Sequence, residues 1–272
     1  MFLAEKMFPG VTHITDAMGV SMTLIEGNAR AVLFDTGYGT ENVKKYVQTL
    51  TGKPVSVLLS HGHHDHMLGV RWFAESALCI EDLEEFRQRT GPEQRIKVAK
   101  QAREKKIPVP DDFLTSMFTE PKPIVFEGHL GCFEKKTEDL GGLQLQVIHV
   151  PGHTPGSIVV YLKDYQLLLT GDDWNPCTWI WFPSSSPVKV WRENMKTMIS
   201  ELEKQYGQII RFVLCSHQPM LRQGTELKEF LAYMTDERIR KAPAVDMGSS
   251  IHTHVICKEP EGWTLLFDKD KT

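Results

Sequence analysis

Residues 54–66 constrain this chain more than any other stretch, because an apolar run there ends in a cluster of metal-ligand side chains. Pro54-Val55-Ser56-Val57-Leu58-Leu59-Ser60 reads as a strand buried on both faces. It delivers His61-Gly62-His63-His64-Asp65-His66 to its C-terminal end, the edge where ligands gather in layered α/β proteins. Imidazole and carboxylate are favoured ligands of zinc and of other divalent first-row metals. At this chain's His and Asp frequencies, a chance H-x-H-x-D-H has odds of roughly one in a thousand, so the run needs a chemical explanation. On a tight loop His61 and His63 can turn toward one point, while Asp65 and His66 face a second. His64 is left over and is expected to point elsewhere, as an outer-shell donor.

Two ligands are too few to hold an ion that takes four, so the remainder must come from distant segments. His153 lies in Val150-Pro151-Gly152-His153-Thr154-Pro155-Gly156-Ser157, where Pro and Gly fix a strand-to-strand turn, and it is the candidate for the first metal. His217 follows an apolar strand expected over 209–216 and suits the second. Asp172 comes after Thr170-Gly171 at a strand end, where one carboxylate could bridge both ions.

The remaining pattern is that of alternating strands and helices. Ser21–Ile25 and Ala31–Phe34 flank Glu26-Gly27-Asn28, a hairpin signal, and a helix is expected over about 40–50. Residues 81–120 read as a helical insertion. Asp82 with Glu85 resembles a capping box, and Gly91-Pro92 divides two helices. Such an insertion fits a lid, an oligomer contact or a solvated excursion. Strands return from Leu143 to Leu169, and Ser186-Pro187 opens a helix whose Trp191, Met195, Met198, Ile199 and Leu202 recur at helical spacing. There is a faint internal echo: strands end in Phe34-Asp35 and Ser60-His61 in the first half, and in Leu169-Thr170-Gly171-Asp172 and Ser216-His217 in the second.

Other polar residues are expected to be structural. Asp35 reads as a turn residue that supports the metal loop by hydrogen bonding, and Asp173 as an outer-shell or solvated group. His13, His129, His149, His252 and His254 are expected in packing or surface roles. Trp174, Trp179, Trp181 and Phe182 crowd the segment after Asp172. They suit either an apolar substrate wall, with Trp174 and Trp179 as substrate-binding residues, or packing beneath the insertion.

The chain's 272 residues, 41% hydrophobic and 24% charged, are compatible with one domain over 1–272. A net charge of -4 gives no reason to expect nucleic acid as a partner. Five widely spaced cysteines without a CxxC pair argue against a disulfide framework or a cysteine zinc site. No apolar run is long enough for a spanning helix, so no membrane association is expected. The opening residues lack the order of a signal peptide, and cytoplasmic residence is the expectation.

Taken together, these marks resemble the metallo-β-lactamase superfamily, whose hallmarks are H-x-H-x-D-H, a histidine in a P-G-H-T-P-G-type turn, a bridging Asp and a late His. The resemblance runs from the D-T-G segment at Asp35 to His217. It implies an α/β fold of four αββα layers, two mixed β-sheets sandwiched between helices, here with the helical insertion added. It also implies two divalent metal ions, with zinc expected and iron or manganese as alternatives. His61, His63 and His153 would hold one ion, and Asp65, His66 and His217 the other, with Asp172 shared. The implied activity is a metal-bridging hydroxide attacking a small-molecule ester, thioester, lactone or phosphodiester, with Asp65 as the catalytic residue that orients the nucleophile and shuttles its proton. A homodimer is compatible with the sequence.

Departures narrow the reading. Secreted β-lactamases carry a signal peptide and mostly a cysteine ligand, neither of which is found at matching positions here. Flavodiiron oxygen reductases have Glu where this chain has His63, and the nuclease branch needs an additional clamping domain. The alternatives to a hydrolase are a mononuclear iron oxidoreductase similar to persulfide dioxygenases, or a non-catalytic binding protein.

Overall fold

The computed structural model describes residues 1–272, and the chain divides into two compact units. The first comprises Met1–Val125, Thr137–Leu145 and Ser216–Pro219; the second comprises Phe126–Lys136, Gln146–Cys215 and Met220–Thr272.

The first unit is built on a seven-stranded sheet whose spatial order follows the sequence. Its strands are β1 (Leu3–Phe8), β2 (Val11–Thr15), β3 (Ser21–Glu26), β4 (Ala31–Phe34), β5 (Val55–Leu58), β6 (Ala77–Leu78) and β7 (Lys122–Pro123). Strands β1 to β4 pair antiparallel, and β4 to β7 pair parallel. Each parallel step needs a crossover. Helix α1 (Val43–Leu50) supplies the one between β4 and β5, starting where the Asn42 side chain accepts the Lys45 N–H at 2.9 Å. The expected hairpin at Glu26-Gly27-Asn28 forms between β3 and β4. Burial of β5 on both faces holds only for its C-terminal half, since Val55 is half-buried and Ser56 exposed.

Three further helices follow: α2 (His64–Met67), α3 (Leu83–Arg89) and α4 (Pro92–Glu104). The insertion is helical only as far as Glu104. Lys106 adopts the left-handed region at φ 58°, and prolines at 108 and 110 prevent helix from resuming. Ile14, Met22, Leu24, Leu33, Val43 and Val47 form one apolar cluster of this unit. Val57, Leu59, Met67, Val70, Leu78 and Phe86 form a second, beneath the metal loop.

A second seven-stranded sheet, also mixed, contains β8 (Gly128–Leu130), β9 (Phe133–Asp139), β10 (Gln144–His149), β11 (Ile158–Leu162) and β12 (Leu167–Leu169). Strands β13 (Cys177–Ile180), β14 (Phe212–Leu214), β15 (Arg222–Gln223), β16 (Thr253–Lys258) and β17 (Trp263–Asp268) follow in the chain. Of these, β14 and β15 extend the second sheet, while β13, β17 and β16 form a separate three-stranded sheet. The strand expected over 209–216 thus shortens to β14, with Ile209 exposed. The internal echo has a structural counterpart: β12 pairs parallel to β14, Leu169 opposite Leu214, as β4 pairs parallel to β5, Phe34 opposite Leu58.

Helices α5 (Val188–Tyr206), α6 (Gly224–Tyr233) and α7 (Asp236–Lys241) complete the unit. All five apolar residues expected to face the core from α5 are buried. Its N-cap is Pro187, not Ser186; the Ser186 N–H instead donates to the Gly152 carbonyl at 2.9 Å. Gly207, at φ 61°, ends the helix in the left-handed region. No helix is long and apolar enough to cross a membrane.

The core of the second unit centres on Phe230, whose ring lies 6.1 Å from Trp174, 6.4 Å from Trp191 and 5.7 Å from Trp263. Phe230→Ala is expected to cost about 3–5 kcal/mol, because these rings cannot collapse into the space it leaves. The measurement is a thermal melt, where an unchanged midpoint would contradict this packing.

Candidate metal centre

Strand β5 ends at Leu58, and two residues later the chain turns into the histidine loop. The turn is held by Asp35, itself just past the parallel neighbour β4. The Asp35 carboxylate is fully buried and accepts three hydrogen bonds: from the Ser60 N–H at 2.7 Å, the Ser60 hydroxyl at 2.8 Å and His66 Nδ1 at 3.0 Å. Asp35 therefore supports the loop as the sequence led us to expect.

These bonds fix ring orientation. The Ser60 hydroxyl spends its hydrogen on Asp35, so its oxygen accepts from His61 Nδ1 at 2.9 Å. In the neutral ring, a protonated Nδ1 leaves the lone pair on Nε2. The same holds for His66, whose Nδ1 donates directly to Asp35. His63 is turned the other way, with Nε2 facing Glu85 Oε1 at 3.5 Å, which favours Nδ1 as its lone-pair nitrogen. Such outer partners on the non-coordinating nitrogen are the usual second shell of metal-bound histidines.

The donors of the first unit converge. His61 and His63 each offer an atom within 4.8 Å of the other, and so do Asp65, His66 and His217 among themselves. Asp65 Oδ2 lies 3.6 Å from Nε2 of His66 and 3.6 Å from Nε2 of His217. Those separations are long for hydrogen bonds. They approach the roughly 3.3 Å edge of a tetrahedron with metal–ligand bonds of about 2.0–2.1 Å. The donor set of buried imidazoles and a carboxylate thus fits a divalent first-row ion. His217 is steadied from the first sheet, where the Ser21 N–H donates to the Ser216 carbonyl at 2.7 Å.

His64 does not join either set. Its ring meets Tyr38 edge-on at 5.6 Å, and its Nδ1 is 3.9 Å from Asp65 Oδ1. Burial pushes its imidazole down to about 4, against the pull of the Asp65 carboxylate. Burial also pushes the Asp65 carboxyl up, but the imidazoles of His66, His64 and His217 outweigh it and hold Asp65 well below the usual carboxylate range.

In the second unit, the turn before β11 presents His153. Its backbone N–H donates to Asp173 Oδ1 at 2.7 Å, and Trp191 Nε1 donates to the Asp173 carbonyl at 2.8 Å. Asp173 is buried and organises this turn rather than meeting solvent. A Cβ on Gly152 would collide with Asp173 and Trp191, so only glycine fits there. His153 Nδ1 donates to the Trp179 carbonyl at 2.6 Å, which again reserves Nε2, 3.6 Å from Asp172 Oδ2.

The aromatic segment separates into two roles. Trp174 is fully buried within the core and has no surface to offer a substrate, which corrects its expected binding role. Trp179 is partly exposed, 38%, and packs with Trp181 and Phe182, the latter edge-on to His153 at 5.2 Å. His149 is a strand residue that bonds the Pro155 carbonyl at 2.8 Å and stacks on Phe126. His13 is buried within β2 and pairs with Thr23 Oγ1 at 3.0 Å, His129 is an exposed residue of β8, His252 pairs with Asp270 at 2.9 Å, and His254 bonds the Ala242 carbonyl at 2.7 Å.

Sequence reasoning missed the contribution of α3. Asp82 and Glu85 look like a capping box, yet no side-chain cap bond forms at Asp82. Asp82 Oδ2 accepts the Gly62 N–H at 2.8 Å, and Glu85 faces His63. The His63 ring pulls the Glu85 carboxyl down to about 2 against its burial, and Arg89 adds to the effect.

Two mixed sheets with helices, and strand ends that present His and Asp groups able to hold a metal ion, define an α/β protein with a candidate metal-ligand set. The profile described as the metallo-beta-lactamase superfamily matches residues 15–200, and the chain belongs to that superfamily. Among curated relatives, it is 25% identical over 174 residues to the acyl-coenzyme A thioesterase MBLAC2 of Gallus gallus, covering 56% of this chain and 60% of that one. It is 26% identical over 144 residues to the probable metallo-hydrolase YqgX of Bacillus subtilis, covering 53% and 60%. The chain therefore spans about three-fifths of the length of these relatives. The structure of the sec-alkylsulfatase Pisa1 from Pseudomonas sp. aligns with a TM-score of 0.59 at 17% identity, over 84% of this chain and 40% of that one. That likeness shows the fold alone.

The His64 ring gives a testable consequence. An unfolded chain protonates it near the ordinary value of 6.5, the folded chain only near 4. Between those values the unfolded state binds more protons, so stability falls as pH drops through that window. Thermal melts of the metal-free protein should show this slope, flattened in His64→Gln. Identical slopes in parent and variant would contradict it.

Proposed function

We propose that this protein is a dinuclear metal-dependent hydrolase acting on small-molecule thioesters or related acyl esters. The observation that carries the proposal is the convergence of Asp65, His66 and His217, with rings pre-oriented by Asp35 and Ser60. In this reading His61, His63 and His153 hold one ion and Asp65, His66 and His217 the other, with Asp172 shared. Zinc is the expected ion, and iron or manganese would also accept such mixed His and Asp donors.

Two divalent ions bound there would bring a water's pKa toward neutrality and polarise the acyl oxygen. The chain's own residues do the rest. Asp65, kept ionised by its imidazole neighbours, orients the attacking water and carries its proton to the leaving group. The partly exposed Trp179, with Trp181 and Phe182, offers an apolar wall for an acyl portion. Similarity to an acyl-coenzyme A thioesterase supports the thioester over a lactone or phosphodiester.

An activity panel of acyl thioesters, carboxylic esters, lactones and phosphodiesters tests the reading. Thioester turnover should lead, and Asp65→Asn should lower kcat by about 10²–10⁴-fold. His153→Ala should abolish turnover with the fold intact by circular dichroism. No hydrolysis across the panel by metal-loaded protein, or near-parental activity in either variant, would overturn it.

A further inference from the structure

The helical insertion is more than an excursion. Its first helix, α3, lies hard against the histidine loop. A Cβ added to Gly62 would come within 2.9 Å of the Asp82 carbonyl oxygen and 2.9 Å of Glu85 Cβ, so the loop can approach only as glycine. Asp82 is fully buried and accepts the Gly62 N–H at 2.8 Å. One turn on, Glu85 Oε1 lies 3.5 Å from His63 Nε2 and accepts Arg89 Nε at 2.7 Å.

From this geometry we infer that Glu85 is a positioning residue for His63, held in place by Arg89, and that α3 is the outer wall of the first metal position. The inference rests on the proposed metal centre and adds to it a residue that no ligand motif contains.

The physical argument concerns which nitrogen coordinates. An isolated imidazole populates both tautomers, and His63 has no Ser60-like hydroxyl beside it in sequence. A carboxylate facing Nε2 at 3.5 Å favours the proton on that nitrogen electrostatically, which leaves Nδ1 as the lone-pair nitrogen and makes it a better donor. Arg89 shares Oε1 with His63, four residues along the helix from Glu85, and limits where the carboxylate can swing. Asp82 then sets the distance between helix and loop. The three contacts gather on one side of His63.

The device therefore acts selectively. Loss of Glu85 should weaken the ion held with His61 and leave the ion held with Asp65 nearly unaffected. Removal of an outer-shell partner of this kind typically costs 10–100-fold in metal affinity.

The test compares parent, Glu85→Gln and Glu85→Ala proteins by zinc titration against a competing chelator. It adds long-range ¹H–¹⁵N correlation of the histidine rings in zinc-loaded protein. The glutamine variant retains an acceptor of the same shape and guards against misfolding in the alanine variant. We expect one of two affinities to fall 10–100-fold in Glu85→Ala, with a smaller fall in Glu85→Gln. The His63 Nε2–H signal of the parent should be lost or averaged in Glu85→Ala. If the parent binds two ions and the variants bind both equally well, with the His63 tautomer unchanged, the positioning role is overturned while the metal centre stands. If the parent binds no zinc, the metal centre itself fails and this role fails with it.

Discussion

The carboxylate of Asp35 is the contact on which the loop geometry depends. It is fully buried and sits at φ 68°, a left-handed conformation that few non-glycine residues adopt. Strain of that kind costs on the order of 1–3 kcal/mol and persists where surrounding structure over-determines it. Here three donors converge on the carboxylate, from Ser60 twice and from His66 once. Burial of a charge is tolerable when its acceptor sites are filled in this way. The Asp35 N–H in turn donates to the Leu58 carbonyl at 2.9 Å, which ties the ends of β4 and β5 together. One residue thus links sheet register to the ring orientation of two candidate ligands.

The second unit solves the same problem with different chemistry. His153 is held by a backbone carbonyl and a side-chain carboxylate rather than by a hydroxyl relay. The carbonyl belongs to Trp179 on β13, and β13 is paired in register with β17, Trp179 opposite Leu266. Strand β17 lies well past the last recognisable motif. Support for a motif residue therefore comes partly from the C-terminal hairpin β16–β17, which pairs along six residues. The histidine turn tolerates no side chain at Gly152, because Asp173 and Trp191 occupy that space. Packing of α5 and placement of the donor are one constraint.

Much of this was legible in the sequence because strong local patterns have few physical interpretations. The ligand run, the hairpin around Gly27 and the buried stripe of α5 each follow from spacing alone. What escaped was set by tertiary context. Asp82 and Glu85 fit a capping box by spacing, but a nearby loop takes the same carboxylates, Asp82 accepting the Gly62 N–H and Glu85 facing the His63 ring. Trp174 looks like a substrate wall beside Asp172, yet a neighbouring aromatic core takes it inward. The strand before His217 reads longer than β14 because apolar residues such as Ile209 do not reveal which of them pair. Local sequence identifies donors well and their supports poorly, since supports are chosen by whatever packs beside them.

The claim at the centre of this account is that the assembled imidazoles and carboxylates hold two metal ions. Elemental analysis of protein purified without chelator, normalised to chain concentration, measures this directly. The account predicts two divalent ions per chain, reduced to one in His217→Ala. A single iron in the parent, or no metal after reconstitution with zinc, iron or manganese, would contradict it.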